Sequence, residues 1–476
     1  MEARHLCGRE VITIDEVEIT DDNILDIVTE IMNTHTKNRS EIDYLWKYYK
    51  GEQPIISRTK ESRPDICNRI VENRANEIVS FKVGYLCGEP IQYIGRNADE
   101  SVSKGIAELN EMMFVESKAT RDKEIAEWQS VCGTAYRLVL PAKEKDEDKA
   151  PFELYTLDPR DTFVAYSNEV GGKPLLGGKC SVTSSNDKIF SVYSHNHYWR
   201  IKNDKIEESK PNPLGAVNIV EYPANTARLG AFEPVLDLLD EINNIASNRM
   251  DGIEQFVQAF IKFINCDITE ESFKEFLELG AIKVKSLDGN NADVDMVCNE
   301  LNQAQVQVAK DDAHSAIVEI VGMPSMSNGS TSDSSNNGAV ILKNGWQGAE
   351  TRAKDAELMF KGAEREIVKL VLRIIKNTRG LSEELYNLKL KDIEFQFTRR
   401  NYENIQSKAQ VLTTLLASGK VHPRLAFSHC GMFTDPEDAY RISEEYAKAN
   451  APKIENDPEG EPVEGDEPKE GEEQDK

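Results

Sequence analysis

The chain has 476 residues, 39% of them hydrophobic, which is enough for two or three domains with cores of their own. No apolar run reaches the roughly 18 residues that a spanning helix needs, and the opening MEARHLCGREVITIDEVEI reads as lacking a signal-peptide core. A net charge of −26 excludes a protein that grips nucleic acid over its general surface, although such a chain can still surround DNA without holding it.

In chain order, Asp15–Gly51 reads as mostly helix. Asp21 and Asp22 suit a first turn, Ile24, Ile27, Val28 and Ile31 follow at helical spacing, and Tyr44, Trp46, Tyr48 and Tyr49 form an aromatic cluster expected in a core. Glu52–Asp65 is loop. Cys67–Cys87 reads as a second helix carrying Ile70, Ala75, Ile78, Val79 and Val83, stopped by Gly88 and Pro90. A short strand at Ile91–Ile94, helices at Ser101–Met113 and Glu116–Val131, and a strand at Thr134–Leu140 follow. From Phe152 to Tyr222 the period becomes two. Strands are expected at Phe152–Leu157, Thr162–Tyr166, Leu175–Val182, Lys188–Tyr193, Tyr198–Lys202 and Val217–Tyr222. Gly171-Gly172, Asn186-Asp187 and Asn203-Asp204 mark turns between them.

Phe232–Ile264 returns to a helical period, with an apolar face running from Val235 to Phe260. Asn265–Asn299 reads as a small α+β insert, helical at Glu271–Leu279 and extended at Ala281–Ser286 and Val294–Val297. Asn302–Val321 is helix again. Gly322–Asn337 is polar: 13 of its 16 residues are Ser, Thr, Asn, Asp or Gly. Such a run inside a folded region is either a linker or a functional loop. Gly338–Asn377 then carries one unbroken seam, Leu342, Trp346, Ala349, Ala353, Ala356, Phe360, Ala363, Ile367, Leu370 and Ile374, in steps of four and three. It predicts a single rod of about 60 Å. A strand at Leu390–Thr398 and helices at Tyr402–Ser418 and Glu437–Ala449 follow. The acidic segment Lys453–Lys476, with 11 acids and 3 lysines, is expected to be disordered.

Catalytic motifs are not recognisable. GKPLLGGKC at Gly172–Cys180 has the wrong spacing for a phosphate loop and Cys where Ser or Thr must hold Mg²⁺. Asp288–Asn299 lacks the Gly and the bidentate Glu of a calcium loop. His195 and His197, one residue apart, are expected to share a strand face but have no third ligand signalled nearby. Ser101–Lys104 fits SxxK without its companion motifs. The eight cysteines are scattered with no CxxC pair and read as reduced thiols of a cytosolic protein. No metal or cofactor is expected.

Three stretches together resemble the portal proteins of tailed bacteriophages, in the branch common in phages and prophages of Gram-positive bacteria. They are NRIVENRANEIVSFKVGYLCGEPIQY (Asn68–Tyr93), EYPANTARLGAFEPVLDLLDEINNIASNRMDGIEQF (Glu221–Phe256), and the polar loop leading into NNGAVILKNGWQGAETRAKD (Val321–Asp355). A fourth stretch, Leu415–Glu445, is similar to the family's C-terminal helices, with His422-Pro423 where a Ser-containing turn is usual. The order of these pieces, over roughly residues 40 to 450, makes the case.

The resemblance implies a mainly helical α+β subunit. Residues 1–230 would be N-terminal helices and a β-rich wing, 231–264 and 302–321 stem helices, and 265–301 a clip. Residues 322–337 would be a tunnel loop, 338–400 a long helix with a return strand to the wing, 401–452 a helical crown, and 453–476 an acidic tail. It implies a non-enzymatic ring, usually of 12 subunits, at one capsid vertex of the virion, assembled in the host cytoplasm. Double-stranded DNA would be packaged and ejected through it. The packaging ATPase (terminase), the head–tail connector, and capsid and scaffolding proteins would be its partners, with no membrane. Ser327, Asn328, Ser330, Thr331, Ser332, Asp333, Asn336 and Asn337 would face DNA, and Lys283, Lys285 and Asp288 would serve clip contacts. A neutral hydroxyl and amide loop suits DNA that must slide, because tight phosphate contacts would act as brakes. The alternatives are an enzyme of the packaging machinery, which would need a phosphate loop or carboxylate cluster, and a virion or scaffolding protein that forms no ring.

Overall fold

A computed structural model describes residues 8–15, 18–61, 63–96, 99–143, 149–257, 260–264, 266–267, 274, 285–286, 293–297, 303–324, 345–399, 405–433 and 436–450. Strand β1 (Ile12–Ile14) precedes helix α1 (Ile24–Tyr49). Asp21 and Asp22 lie ahead of this helix rather than in its first turn. Asn23 Oδ1 accepts the Thr20 N–H (2.8 Å) and so folds the chain into the helix. Asp21 instead accepts hydrogen bonds from Trp199 Nε1 (2.6 Å) and Ser209 Oγ (2.8 Å).

Helix α2 spans only Arg74–Cys87. The expected start at Cys67 fails because 68–72 runs extended, with its N–H groups taken by side chains of a later helix. Asn68 donates to Asp251 Oδ1 (2.7 Å), Ile70 to Ser247 Oγ (2.9 Å) and Glu72 to Asn243 Oδ1 (2.9 Å). Two residues of extended chain rise about 6.6 Å and four residues of helix about 6 Å, so alternate amides meet every fourth side chain. Asn73, at φ 42°, then turns the chain into α2. Ser247→Ala should strand the Ile70 amide and cost about 1–3 kcal/mol, read by chemical denaturation.

Strand β2 (Gln92–Gly95), helices α3 (Glu100–Val115) and α4 (Lys118–Cys132), and strands β3 (Thr134–Pro141) and β4 (Phe152–Leu157) follow the predicted order. Beyond them come β5 (Thr162–Ser167), β6 (Pro174–Val182), β7 (Lys188–Ser194), β8 (His197–Lys202), β9 (Lys205–Pro211) and β10 (Ile219–Pro223). One sheet has the order β1-β5-β6-β7-β8-β9 and a second β10-β3-β4. The Asn203-Asp204 turn has both residues at positive φ, as a tight hairpin requires. Strand β9, KIEESKP, carries no apolar alternation because it is an exposed edge strand, its charges discouraging further pairing. The first half of α1 covers the larger sheet through Ile24, Ile31, Phe163 and Trp199.

Helix α5 is Leu236–Val257. The helix expected to reach Ile264 stops short: Phe260–Ile264 is strand β11, antiparallel to β14 (Asp293–Val297), with Phe260 opposite Val297. FIKFI is rich in aromatic and β-branched residues, and a partner strand outweighs its helical spacing. β12 (Cys266–Asp267) pairs with β13 (Lys285–Ser286). Of the expected Glu271–Leu279 helix, only Lys274 is described, and it is helical.

Helix α6 is Gln303–Val321 and helix α7 is Trp346–Asn377. Gly345 sits at φ 76°, a left-handed conformation that cannot continue a helix, so α7 starts at Trp346 and runs about 48 Å. Residues 338–344, including Leu342, lie outside the described residues. Ala349, Phe360, Ala363, Ile367, Leu370 and Ile374 of the predicted seam are all buried. Helix α8 (Glu383–Asn387) leads to β15 (Ile393–Gln396), which pairs antiparallel with β2. Helices α9 (Ile405–Ala417), α10 (Pro423–Cys430) and α11 (Pro436–Ala449) follow. The sequence reading missed α10. His422 is its cap: Nδ1 accepts the Arg424 N–H (3.3 Å) in the role a serine usually fills, with Pro423 in the first turn.

Candidate functional site

In sequence the polar run begins at the C-terminus of α6 and lies ahead of α7, and the end of the one helix and the start of the other are fixed by specific chemistry. Helix α6 ends in a Schellman turn: Gly322 N–H donates to Glu319 O (3.2 Å) and Met323 N–H to Val318 O (2.9 Å), with Gly322 at φ 66°. Two cations cover the carbonyls left over. Lys82 Nζ donates to Val321 O (2.6 Å) and Arg352 Nη1 to Ile320 O (2.6 Å). Positive charge at a helix C-terminus opposes the negative end of the helix dipole. Burial, and secondarily the nearby Arg352 charge, push the Lys82 amine down to about 8.

On the other side, Trp346 packs by Phe81 and Tyr85 at ring-centroid distances of 6.3 and 5.9 Å. Tyr85 donates its hydroxyl to Glu350 Oε2 (2.9 Å). Arg399 bridges Glu350 (2.7 Å) and Glu357, with its guanidinium 5.5 Å from the Tyr85 ring centre. Helix α2 therefore holds both the end of α6 and the start of α7. A Cβ on Gly322 would lie 2.2 Å from Arg352 Cδ. Gly322→Ala should cost at least about 1–2 kcal/mol from the left-handed backbone alone and displace Arg352, seen as a lowered denaturation midpoint.

Further along α7 a buried charge network pins the rod to the sheet. Glu364 Oε1 accepts from Tyr93 (2.6 Å) and pairs with Lys118 (3.1 Å), and Oε2 accepts from Tyr222 (2.6 Å) and faces Arg137 (3.4 Å). Asp122 pairs with both Lys118 and Arg137, the latter at 2.7 Å. Two cations and two anions cancel in a site with side-chain exposure of 4% or less. Burial pushes the Glu364 carboxyl up, but Lys118, Arg137 and the two hydroxyls outweigh it and hold it at about 2. Burial, reinforced by Glu364, keeps both phenols protonated. A glutamate beside Ala363 in an apolar seam was the signal available in the sequence. Nothing there identified Lys118, Asp122 and Arg137 as its partners.

The residues expected in a tunnel loop, Ser327, Asn328, Ser330, Thr331, Ser332, Asp333, Asn336 and Asn337, lie outside the described residues, as do Lys283 and Asp288. Of Lys285, only its place in β13 is described. His195 sits in the turn before β8 rather than on a strand with His197, which stacks on Trp199 at 5.5 Å. Lys104 of the SxxK match pairs with Glu100 on an exposed face of α3. The Gly172–Cys180 stretch forms β6 and the turn before it, where Gly178 packs on the Phe163 ring. Among the described residues no three His, Cys, Asp or Glu side chains gather as a metal site. Cys67, Cys87, Cys132, Cys180 and Cys430 are free thiols. Burial pushes Cys132 up to about 12, a protonated and unreactive state.

The family described as phage portal protein, SPP1 Gp6-like, matches residues 29–458. No curated protein matches. Among solved structures, a chain from the virion of a native gene transfer agent (GTA) particle is 10% identical at a TM-score of 0.44, covering 83% of this chain and 94% of that one. A chain from the neck of an empty GTA particle, computed with C6 symmetry, is 11% identical at 0.39, covering 75% and 90%. At these TM-scores neither carries an argument about this chain.

Proposed function

The chain belongs to the SPP1 Gp6-like family of phage portal proteins, and from that premise we propose that it forms a ring-shaped channel at one capsid vertex. Double-stranded DNA enters and leaves through that channel. The ring holds 12 subunits in the capsid and docks the packaging ATPase and then the head–tail connector. The protein is structural, not an enzyme. In this reading α5 and α6 are the stem, residues 265–301 the clip, 322–337 the tunnel loop and 401–452 the crown.

The family match along residues 29–458 carries the proposal. The junction supports it. A loop that meets moving DNA needs firm flanks, and Lys82, Arg352, Gly322 and the Tyr85–Glu350–Arg399 set hold the end of α6 and the start of α7 on either side of it. The polar run carries one charge, Asp333, and otherwise offers hydroxyls and amides, which give weak and sequence-blind contacts to a phosphate backbone.

Electron microscopy of the purified protein, with mass analysis of the assembly, tests this. Closed rings with a hole of at least about 20 Å, the width of a B-form duplex, are expected, since duplex grooves and backbones must pass unhindered. A monomer or dimer at every salt concentration would overturn the ring.

A further inference from the structure

Between α2, the end of α4, the segment 224–234, the end of α6 and the first half of α7 lies a cavity of about 280 Å³. Its walls are chemically uneven. Phe81 and Tyr85 line one side, stacked at 5.5 Å and 10°. Ala349 and Ala353 of α7 line another, and their small side chains leave the space open. Lys82 and Arg352 stand at one end. Both spend their described hydrogen bonds on the backbone carbonyls of Val321 and Ile320, and among the described residues neither meets a carboxylate. In a chain of net charge −26, two neighbouring cations that meet helix carbonyls and, among the described residues, no carboxylate are unusual. Arg352 is solvent-exposed, so the charged end is reachable from outside.

We propose that this cavity binds a small organic carboxylate with an aromatic body, the carboxylate on Lys82 and Arg352 and the ring against Phe81, Tyr85 and the alanine wall. Three features fit that class. The volume suits a molecule of roughly ten to fifteen non-hydrogen atoms, smaller than a drug-sized ligand. Aromatic walls favour offset or edge contacts with a ring. Two adjacent donors to one carboxylate give charge-assisted hydrogen bonds, roughly twice as strong as neutral ones. Burial lowers the Lys82 amine to about 8, and an anion beside it would oppose that shift and favour the charged form. Because both cations also hold the end of α6, an occupied cavity would stiffen the attachment of the polar run. The proposal stands apart from the portal reading, since it concerns binding by the purified chain in whatever assembly it forms.

The test uses 3-phenylpropionate and its neutral counterpart 3-phenylpropanol, titrated into the full chain and followed by saturation-transfer NMR. A ligand of about 11 non-hydrogen atoms should bind with Kd of about 1 mM. The alcohol should bind at least about tenfold more weakly, since it forfeits the charge-assisted contacts. Ala353→Phe, which fills the space, and Arg352→Gln should both abolish carboxylate binding. Absence of saturable binding to the native chain, equal affinity for acid and alcohol, or undiminished binding by a folded Ala353→Phe variant would overturn the proposal. The acid–alcohol comparison needs no variant, so it decides the matter even where a substitution disturbs folding.

Discussion

Replacing Glu364 with alanine is expected to destabilise the protein by about 3–5 kcal/mol, because it leaves Lys118 and Arg137 buried with a single anion between them. Tyr93 and Tyr222 would also lose the oxygens they donate to, at 2.6 Å each. Denaturant unfolding of Glu364→Ala against the native chain measures the loss. The charges carry most of it, so Lys118→Met, Asp122→Leu, Arg137→Met and Glu364→Leu, combined with Tyr93→Phe and Tyr222→Phe to remove the orphaned hydroxyls, should recover most of the stability, as buried ion pairs replaced whole often do. A combined variant as unstable as the single one would show that the network is needed for its shape.

The same carboxylate sets a pH dependence. Its folded pKa, about 2, lies below the ordinary 4.5. The unfolded chain therefore binds the proton more readily, and acid favours unfolding. The stabilisation is complete above about pH 4.5 and is lost as pH falls towards 2, a change of about 3 kcal/mol over that window. The stability difference between native protein and Glu364→Gln should shrink across this interval and stay constant from pH 5 to 8.

The second large effect concerns DNA. If the run 322–337 faces the duplex, Ser327→Lys, Ser332→Lys and Asn336→Lys together should convert a sliding surface into a braking one. Each phosphate engaged adds about 0.9 to the slope of log affinity against log salt, multiplied by the subunits of the ring. Duplex DNA retention should become strongly salt-dependent, and packaging in a reconstituted system should fall about tenfold or more. Alanine at the same three positions should leave both nearly unchanged. Identical retention and packaging by the lysine variant would remove the run from the channel wall.

Periodicity revealed much of the architecture. The α7 seam is legible because its apolar residues recur every three or four positions, and Phe360, Ile367 and Ile374 are buried as that spacing requires. Strands β7 and β8 alternate in burial and the β region is broken by turn pairs, which is a local code too. The misses share a cause. Residues 68–72 look helical, but α5 offers three side-chain acceptors at a pitch that fits extended chain. Phe260–Ile264 has helical spacing, but Asp293–Val297 supplies a partner strand about thirty residues away. Strand β9 has little apolar signal because all of its residues but Ile206 are exposed.

By itself, then, the sequence determined the helical rods, the β region, the polar run and the resemblance to a portal subunit, because periodicity, turn residues and composition act over a few residues. Only the tertiary structure decided where helices begin and end, how Lys82 and Arg352 fix the end of α6, and which three charges gather with Glu364. Those outcomes depend on groups separated by up to 271 positions, whose meeting is set by the packing of whole elements and leaves no mark in local spacing.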